Sequence, residues 1–322
     1  MTNREKRTIA GPLLEVDIYP VWDDGRRIPE RAPKTKPTTE AQRKYNEEQA
    51  RRKLIMRVNA NFTTADYWMS PTFYSQLAPQ DPAEAKRYLT NYIRRVRAAR
   101  EKALKEYKEQ LTAAKAALQQ SRELSETGEK RAVRAAAYLK DEIKRLTKKV
   151  KQLKKPLKYY YCIEQQVYKS GPNAGRSNWH FHMFISGGLD SMEMEELWDK
   201  GIKVNCRNFN PERFGPEAAA RYMGKESANG RRRFGCSRNL KKPDERIRDG
   251  HFTRRQVEKI ATQRVDEREW WERKYPGYRL LRTNCRWNEY NSNWYVTAVM
   301  YKTDAAPPPW GMYGEGMKEA QE

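Results

Sequence analysis

Cysteine is scarce: four residues in 322, tens of positions apart and never in a Cys-x-x-Cys pair. That excludes a zinc knuckle and a dense disulfide framework, so reduced thiols are expected. No apolar run approaches the length of a membrane-spanning helix, and the first residues (Met-Thr-Asn-Arg-Glu-Lys) are polar rather than an apolar signal region. A cytoplasmic protein with no membrane partner is expected. Acid is in short supply as well, with 42 Asp and Glu against 65 Lys and Arg, a formal charge of +23. Such an imbalance calls for a polyanion. Nucleic acid is favoured over a membrane surface because counterion release drives Lys and Arg onto phosphates, while an 11% aromatic content offers platforms for unpaired bases. A helicase-type phosphate loop is missing: residues 171–177 (Gly-Pro-Asn-Ala-Gly-Arg-Ser) have short glycine spacing and Arg in place of Lys, and read as a hairpin turn.

Residues 1–52 read as a basic, Pro-containing arm followed by a helix. A short alternating patch at residues 13–19 is strand-like, and the helix is opened by a Thr-x-x-Gln capping pattern at Thr39 and Gln42. Residues 53–62 are rich in apolar and β-branched positions and are expected to be the first core strand, with residues 67–74 as its partner in a core segment spanning 53–82. From 83 to 155 the chain is charged, Ala-rich and helical, broken only near 125–129. Leu104, Tyr107, Leu111, Ala114 and Leu118, then Ala132, Ala136, Leu139, Ile143, Leu146, Val150 and Leu153, repeat at spacings of three and four. Two such seams predict an antiparallel helical hairpin, with one long solvated helix as the alternative. Residues 156–240 then read as strand, turn, strand (157–168 and 179–185), a helix over 190–200, a strand over 204–208 and a helix over 216–225. A basic helix from 253 to about 274 and two short strands complete 241–304, and the Pro- and Gly-rich tail, 305–322, is expected to be disordered.

Chemistry concentrates in the fourth of these segments. Two of only three histidines form His180-Phe-His182 within a strand, and alternation puts both imidazoles on one face, a ready pair of metal ligands. Folding the hairpin brings Glu164 beside them, and two imidazoles with one carboxylate leave positions for phosphate oxygens on Mg²⁺ or Mn²⁺. Gln166 is the substitute ligand if the register differs. The nucleophile candidate is Tyr222, with Lys225 one helical turn along on the same face. A phenol is a weak nucleophile at neutral pH, so an adjacent ammonium and a polarised phosphate are what it needs. The plainer alternatives are strand histidines without a ligand, a solvated carboxylate, and a Tyr222 ring packed in the core.

The succession of His-hydrophobic-His on a strand and Tyr-x-x-Lys on a later helix resembles the HUH endonuclease superfamily, in the order used by replication initiators. More closely, the chain is similar to rolling-circle replication-associated proteins of bacterial mobile elements and phages. The stretches that carry the resemblance are 59–66, 179–183, 195–201, 221–226 and 237–243. It implies an α+β fold with a ferredoxin- or RRM-like central antiparallel sheet flanked by helices, here with the long helical hairpin as an insertion. His180, His182 and Glu164 would be metal ligands, Tyr222 the nucleophile and Lys225 its basic partner, in a chain that nicks single-stranded origin DNA. A host helicase and polymerase are the implied partners, and the hairpin is a candidate for self-association or for contact with a host factor. A DNA-binding protein without catalysis and an HUH transposase are the alternatives. Pro71 and Phe73 depart from the family's first motif.

Overall fold

Period-two alternation and the register of ten strands build two five-stranded antiparallel sheets, accompanied by helices of which one is 45 residues long, an α+β architecture. The computed structural model describes residues 1–22, 39–126, 130–167, 175, 177–201, 204–209 and 234–303. Outside them lie residues 23–38 of the basic arm, residues 127–129 and 168–174 of the two expected turns, the helix expected at 216–225 and the tail from 305. No described helix is long and apolar enough to cross a membrane. The chain divides into two compact units, one containing Met1–Asn61 and the described part of Lys241–Glu322, the other Phe62–Phe209 with residues 234–240.

In the first unit, β1 (Thr2–Ala10) and β2 (Leu13–Val21) pair antiparallel in the middle of a sheet. The tight turn between them needs Gly11, which has φ 56° and where a Cβ would meet the Asn59 carbonyl oxygen at 2.4 Å. The expected arm is therefore, over residues 2–21, two central strands. Only β2 is legible as one, because β1 points Asn3, Glu5 and Arg7 to the helix-covered side where an apolar pattern would be looked for.

The helix α1 (Glu40–Asn59) starts at Thr39, whose side chain accepts from the Gln42 amide as the capping pattern predicts. It does not stop at Arg52. Residues 53–59, expected as a strand, are its last two turns, and Leu54, Ile55, Met56 and Val58 are buried. With the helix already nucleated and no Gly or Pro before Asn59, propagation outweighs the β preference of Ile55 and Val58.

The second unit holds β3 (Tyr67–Pro71), which pairs with strands from later in the chain rather than with residues 53–62. Next come α2 (Pro82–Glu126) and α3 (Lys130–Leu153). Ala85, Leu89, Tyr92, Ile93 and Val96 of α2 pack on one face of the sheet. The two helices run in opposite senses, since Arg100 reaches the Leu153 carbonyl while Lys149 lies over the Tyr107 ring. Ala114, Ala132, Ala136, Leu146, Val150 and Leu153 of the heptad seams are buried. Arg100, 4% exposed, donates to the carbonyls of Gly187, Leu153 and Lys155, tying α2 to the end of α3 and to the turn after the histidine strand.

Strands β4 (Tyr159–Val167) and β5 (Ser177–Ile185) form the expected antiparallel pair. α4 (Ser191–Glu196), opened by an Asp190–Glu193 capping box, is shorter than the expected helix, and β6 (Val204–Asn208) falls where the sequence puts it. With β7 (Phe234–Cys236) the sheet order is β6-β3-β5-β4-β7.

Returning to the first unit, the chain adds β8 (Asp244–Phe252), α5 (Arg254–Lys259), a π-helical stretch (Ile260–Arg264), α6 (Arg268–Lys274), β9 (Tyr278–Asn288) and β10 (Asn293–Lys302). Their sheet is ordered β8-β1-β2-β10-β9. The single basic helix expected over 253–274 is thus three pieces. The break is closed by the buried Trp271, whose indole N–H donates to the Arg264 and Val265 carbonyls. Leu14, Val16 and Ile18 of β2 and Val296, Ala298 and Met300 of β10 form the core with Val257, Ile260, Trp271 and Tyr275. A second sheet had no place in the sequence-based expectation.

Candidate functional site

Alternation along β5 sends Phe181 and Met183 into the core under α2, which leaves His180 and His182 on the opposite face. The antiparallel register with β4 then sets Glu164 directly across from His180 and Cys162 across from His182. Glu164 is therefore the register partner of one histidine and the diagonal neighbour of the other. Its Oε2 lies 3.2 Å from His182 Nε2, with the two side chains only 10% and 12% exposed.

β3 completes the surroundings from the other side of β5. Trp68 stacks on the His182 ring, with centroids 5.6 Å apart and planes 5° from parallel. Two residues on, Ser70 Oγ sits 3.0 Å from His182 Nδ1. The ring is thus clamped between an indole face and a hydroxyl, with Nε2 aimed at the Glu164 carboxylate. Behind it, Phe184 packs against Trp68, Phe62 and Phe209. Neither Trp68 nor Ser70 stands out in the sequence. The signal that could have found them is the alternation of residues 67–71, which places both on the histidine face once β3 is known to pair with β5.

The electrostatics favour a neutral His180. Burial and the neighbouring His182 push its pKa below the ordinary value of 6.5, with Glu164 opposing them in part. A neutral imidazole keeps a lone pair for a cation or a proton donor. For His182, two arrangements fit its contacts. If Nδ1–H donates to Ser70, the Nε2 lone pair faces a carboxylate and a cation belongs between them; if Ser70 donates, Nε2–H donates to Glu164. The 3.2 Å separation suits both. Neighbouring ligands around an octahedral Mg²⁺ with bonds of about 2.1 Å stand roughly 3 Å apart. The donor set accordingly fits a divalent cation in chemistry and spacing for one pair. Among the described residues, however, no three His, Cys, Asp or Glu side chains are already grouped to hold a metal.

Gln166, the substitute ligand, lies in β4 across from Asn178 rather than from a histidine, so the register favours Glu164. Tyr222 and Lys225 lie outside the described residues. Of the two departures, Phe73 has a structural use: it packs edge-on against Phe181 and Trp198, both at 5.3 Å, so it belongs to the core under the sheet and not to the histidine face. No disulfide joins the four cysteines, and burial, with Glu195 nearby, pushes the Cys206 thiol up to about 12, which makes it inert. Comparison with known protein families, with characterised proteins and with solved structures returns no match to this chain.

Proposed function

We propose that the protein is an HUH-type rolling-circle replication initiator that nicks single-stranded origin DNA through a tyrosine. The observation that carries this reading is the placement of Glu164 across from His180 and 3.2 Å from His182 on one face of an antiparallel sheet. In the reading, the unit built on β3 to β7 is the RRM-like nuclease fold, and the α2–α3 pair is an insertion in it available for self-association. His180, His182 and Glu164 would hold Mg²⁺ or Mn²⁺, which when bound polarises a phosphate and helps neutralise its charge. Trp68 and Ser70 keep the His182 ring in one orientation.

Tyr222 is the nucleophile. Its phenolic oxygen bonds to the scissile phosphorus as the bond to the 3′ oxygen breaks, leaving a 5′-phosphotyrosine and a 3′-OH that takes up the proton. Lys225 offsets charge as it builds on the phosphoryl oxygens. Ending the cycle needs the 3′-OH, water or a second copy to attack the phosphotyrosine.

A DNA-binding protein without catalysis is the second reading, favoured by the lack of a preformed three-ligand group among the described residues. The two are separated by incubating the protein with single-stranded oligonucleotides from its own genomic neighbourhood, with Mn²⁺ or EDTA, and running a denaturing gel. The nuclease reading expects an adduct that needs Mn²⁺ and disappears in Tyr222→Phe. Tight binding with no adduct on any substrate supports the second.

A further inference from the structure

The hairpin of β9 and β10 shows solvent more aromatic surface than its sheet needs. Tyr290 in the turn is 99% exposed and Trp287 at the end of β9 is 41% exposed. Trp287 lies across from Trp294 with ring centroids 5.1 Å apart. On the other face, Arg286 lies across from Tyr295 with its guanidinium 5.6 Å from the ring centroid.

The turn itself is pinned. The Tyr290 amide donates to Asn288 Oδ1 at 3.0 Å, Asn291 Nδ2 donates to the Tyr295 hydroxyl at 2.8 Å, and Arg254 of α5 donates to the Ser292 carbonyl at 3.0 Å. Ser292 is held in the left-handed region, at φ 47°. Rings displayed on an ordered turn lose little further freedom when something stacks on them.

The charge of the hairpin says what that is. Between Tyr278 and Lys302 the chain carries Arg279, Arg282, Arg286 and Lys302 against the single acid Glu289. Exposed rings at the tip, with Arg286 at the same end of the hairpin on its other face, suit a partner with free π-faces on an anionic backbone that passes around the tip. Duplex DNA hides its base faces, and an apolar protein surface would leave the arginines without phosphates.

We propose that the tip of the β9–β10 hairpin is a binding platform for single-stranded DNA, with Trp287 and Tyr290 stacking on bases and Arg286 contacting phosphate. This gives the unit without His180 and His182 its own grip on the strand. It rests on the proposed function only for the choice of DNA over RNA.

The test uses the full chain in EDTA, so nicking plays no part and its failure would leave this result standing. Oligothymidylate substituted with bromodeoxyuridine is irradiated with the protein, which is then digested with trypsin. The expected cross-linked peptide spans 287–302, cut after Arg286 and Lys302. Trp287→Ala with Tyr290→Ala should weaken binding roughly tenfold. Tyr290→Ala alone, at a side chain that supports nothing, should weaken it in the same direction with unchanged thermal unfolding. Arg286→Gln should lower the slope of log affinity against log salt by about 0.7, one phosphate contact. Cross-links confined to other peptides, wild-type affinity in the double variant, or tighter binding of oligouridylate would each overturn the proposal.

Discussion

Each of the two sheets contains a histidine facing a buried glutamate, and the contrast between the pairs shows what makes one a candidate site. In the second unit, His182 and Glu164 are 3.2 Å apart, with His180 beside them and a hydroxyl fixing the imidazole. In the first, His251 of β8 is 3.8 Å from Glu5 of β1. There one carboxylate oxygen is taken, since Arg7 donates to Glu5 Oε1 at 2.7 Å and the Tyr275 hydroxyl at 2.6 Å, while Oε2 and His251 Nε2 are buried without a hydrogen-bond partner among the described residues. Burial drives the Glu5 carboxyl up, but those hydrogen bonds and the charges of Arg7 and His251 hold it net below the ordinary value of 4.5. A cation placed beside Glu5 would meet the Arg7 guanidinium, whereas near Glu164 the neighbouring donors are imidazoles. The same residue types thus make a structural pair in one sheet and a candidate ligand set in the other.

The comparison breaks most visibly through the layers that cover the sheets. In the first unit this layer is anchored by apolar packing, and Trp271→Ala, removing a fully buried ring and its two hydrogen bonds, should cost about 4 kcal/mol of unfolding free energy in guanidinium titration. In the second unit the anchor is a buried cation. Arg100→Ala leaves the Gly187, Leu153 and Lys155 carbonyls without their donor and should cost about 3 kcal/mol in the same titration.

The two glutamates give the sharper contrast. Glu164→Gln should lower Mn²⁺ affinity by more than about tenfold in calorimetric titration while Glu5→Gln leaves it unchanged. Stability should respond the other way, with Glu5→Gln costing about 1–2 kcal/mol for weakened charge-assisted bonds to Arg7 and Tyr275. Equal loss of Mn²⁺ binding in both variants would erase the distinction between the pairs.

Acid should probe the same difference. Because the folded Glu5 carboxyl titrates below 4.5, its contribution to stability is present above the ordinary carboxylate value and is lost as pH falls through the lowered one. Glu5→Gln should therefore flatten the acid limb of a stability profile below about pH 4.5. The smallest effect belongs to His180, whose folded pKa lies below 6.5, so the unfolded chain binds more protons as pH falls through that value and stability declines. His180→Gln should remove that part of the slope, at most about 1.4 kcal/mol per pH unit.

The elements legible in the sequence are those whose pattern is local. The Thr39 cap, the β4 and β5 strands, the Asp190 helix start and the 204–208 strand all rest on neighbours within a turn or a pleat. Glu164 beside the histidines was legible too, because a two-stranded antiparallel register follows from the strands themselves. The failures share one cause. Residues 53–59 carry a strand-like composition that a helix started 14 residues earlier overrides, and β1 hides because its inward side chains are Asn3, Glu5 and Arg7. Ser70 and Trp68 could not be assigned to the site before β3 was known to lie against β5, more than 100 residues away.

Composition, and spacing along one or two adjacent elements, were enough for the +23 charge, the shared face of His180 and His182 and the carboxylate opposite them. The joining of β1 and β2 to β8, β9 and β10 in a second sheet, the orientation of His182 by Ser70 and Trp68, and the hold of Arg7 and Tyr275 on Glu5 Oε1 come only with the folded chain. Those outcomes turn on pairings between segments far apart in the chain, where partners are selected by shape, burial and satisfied hydrogen bonds rather than by any local period.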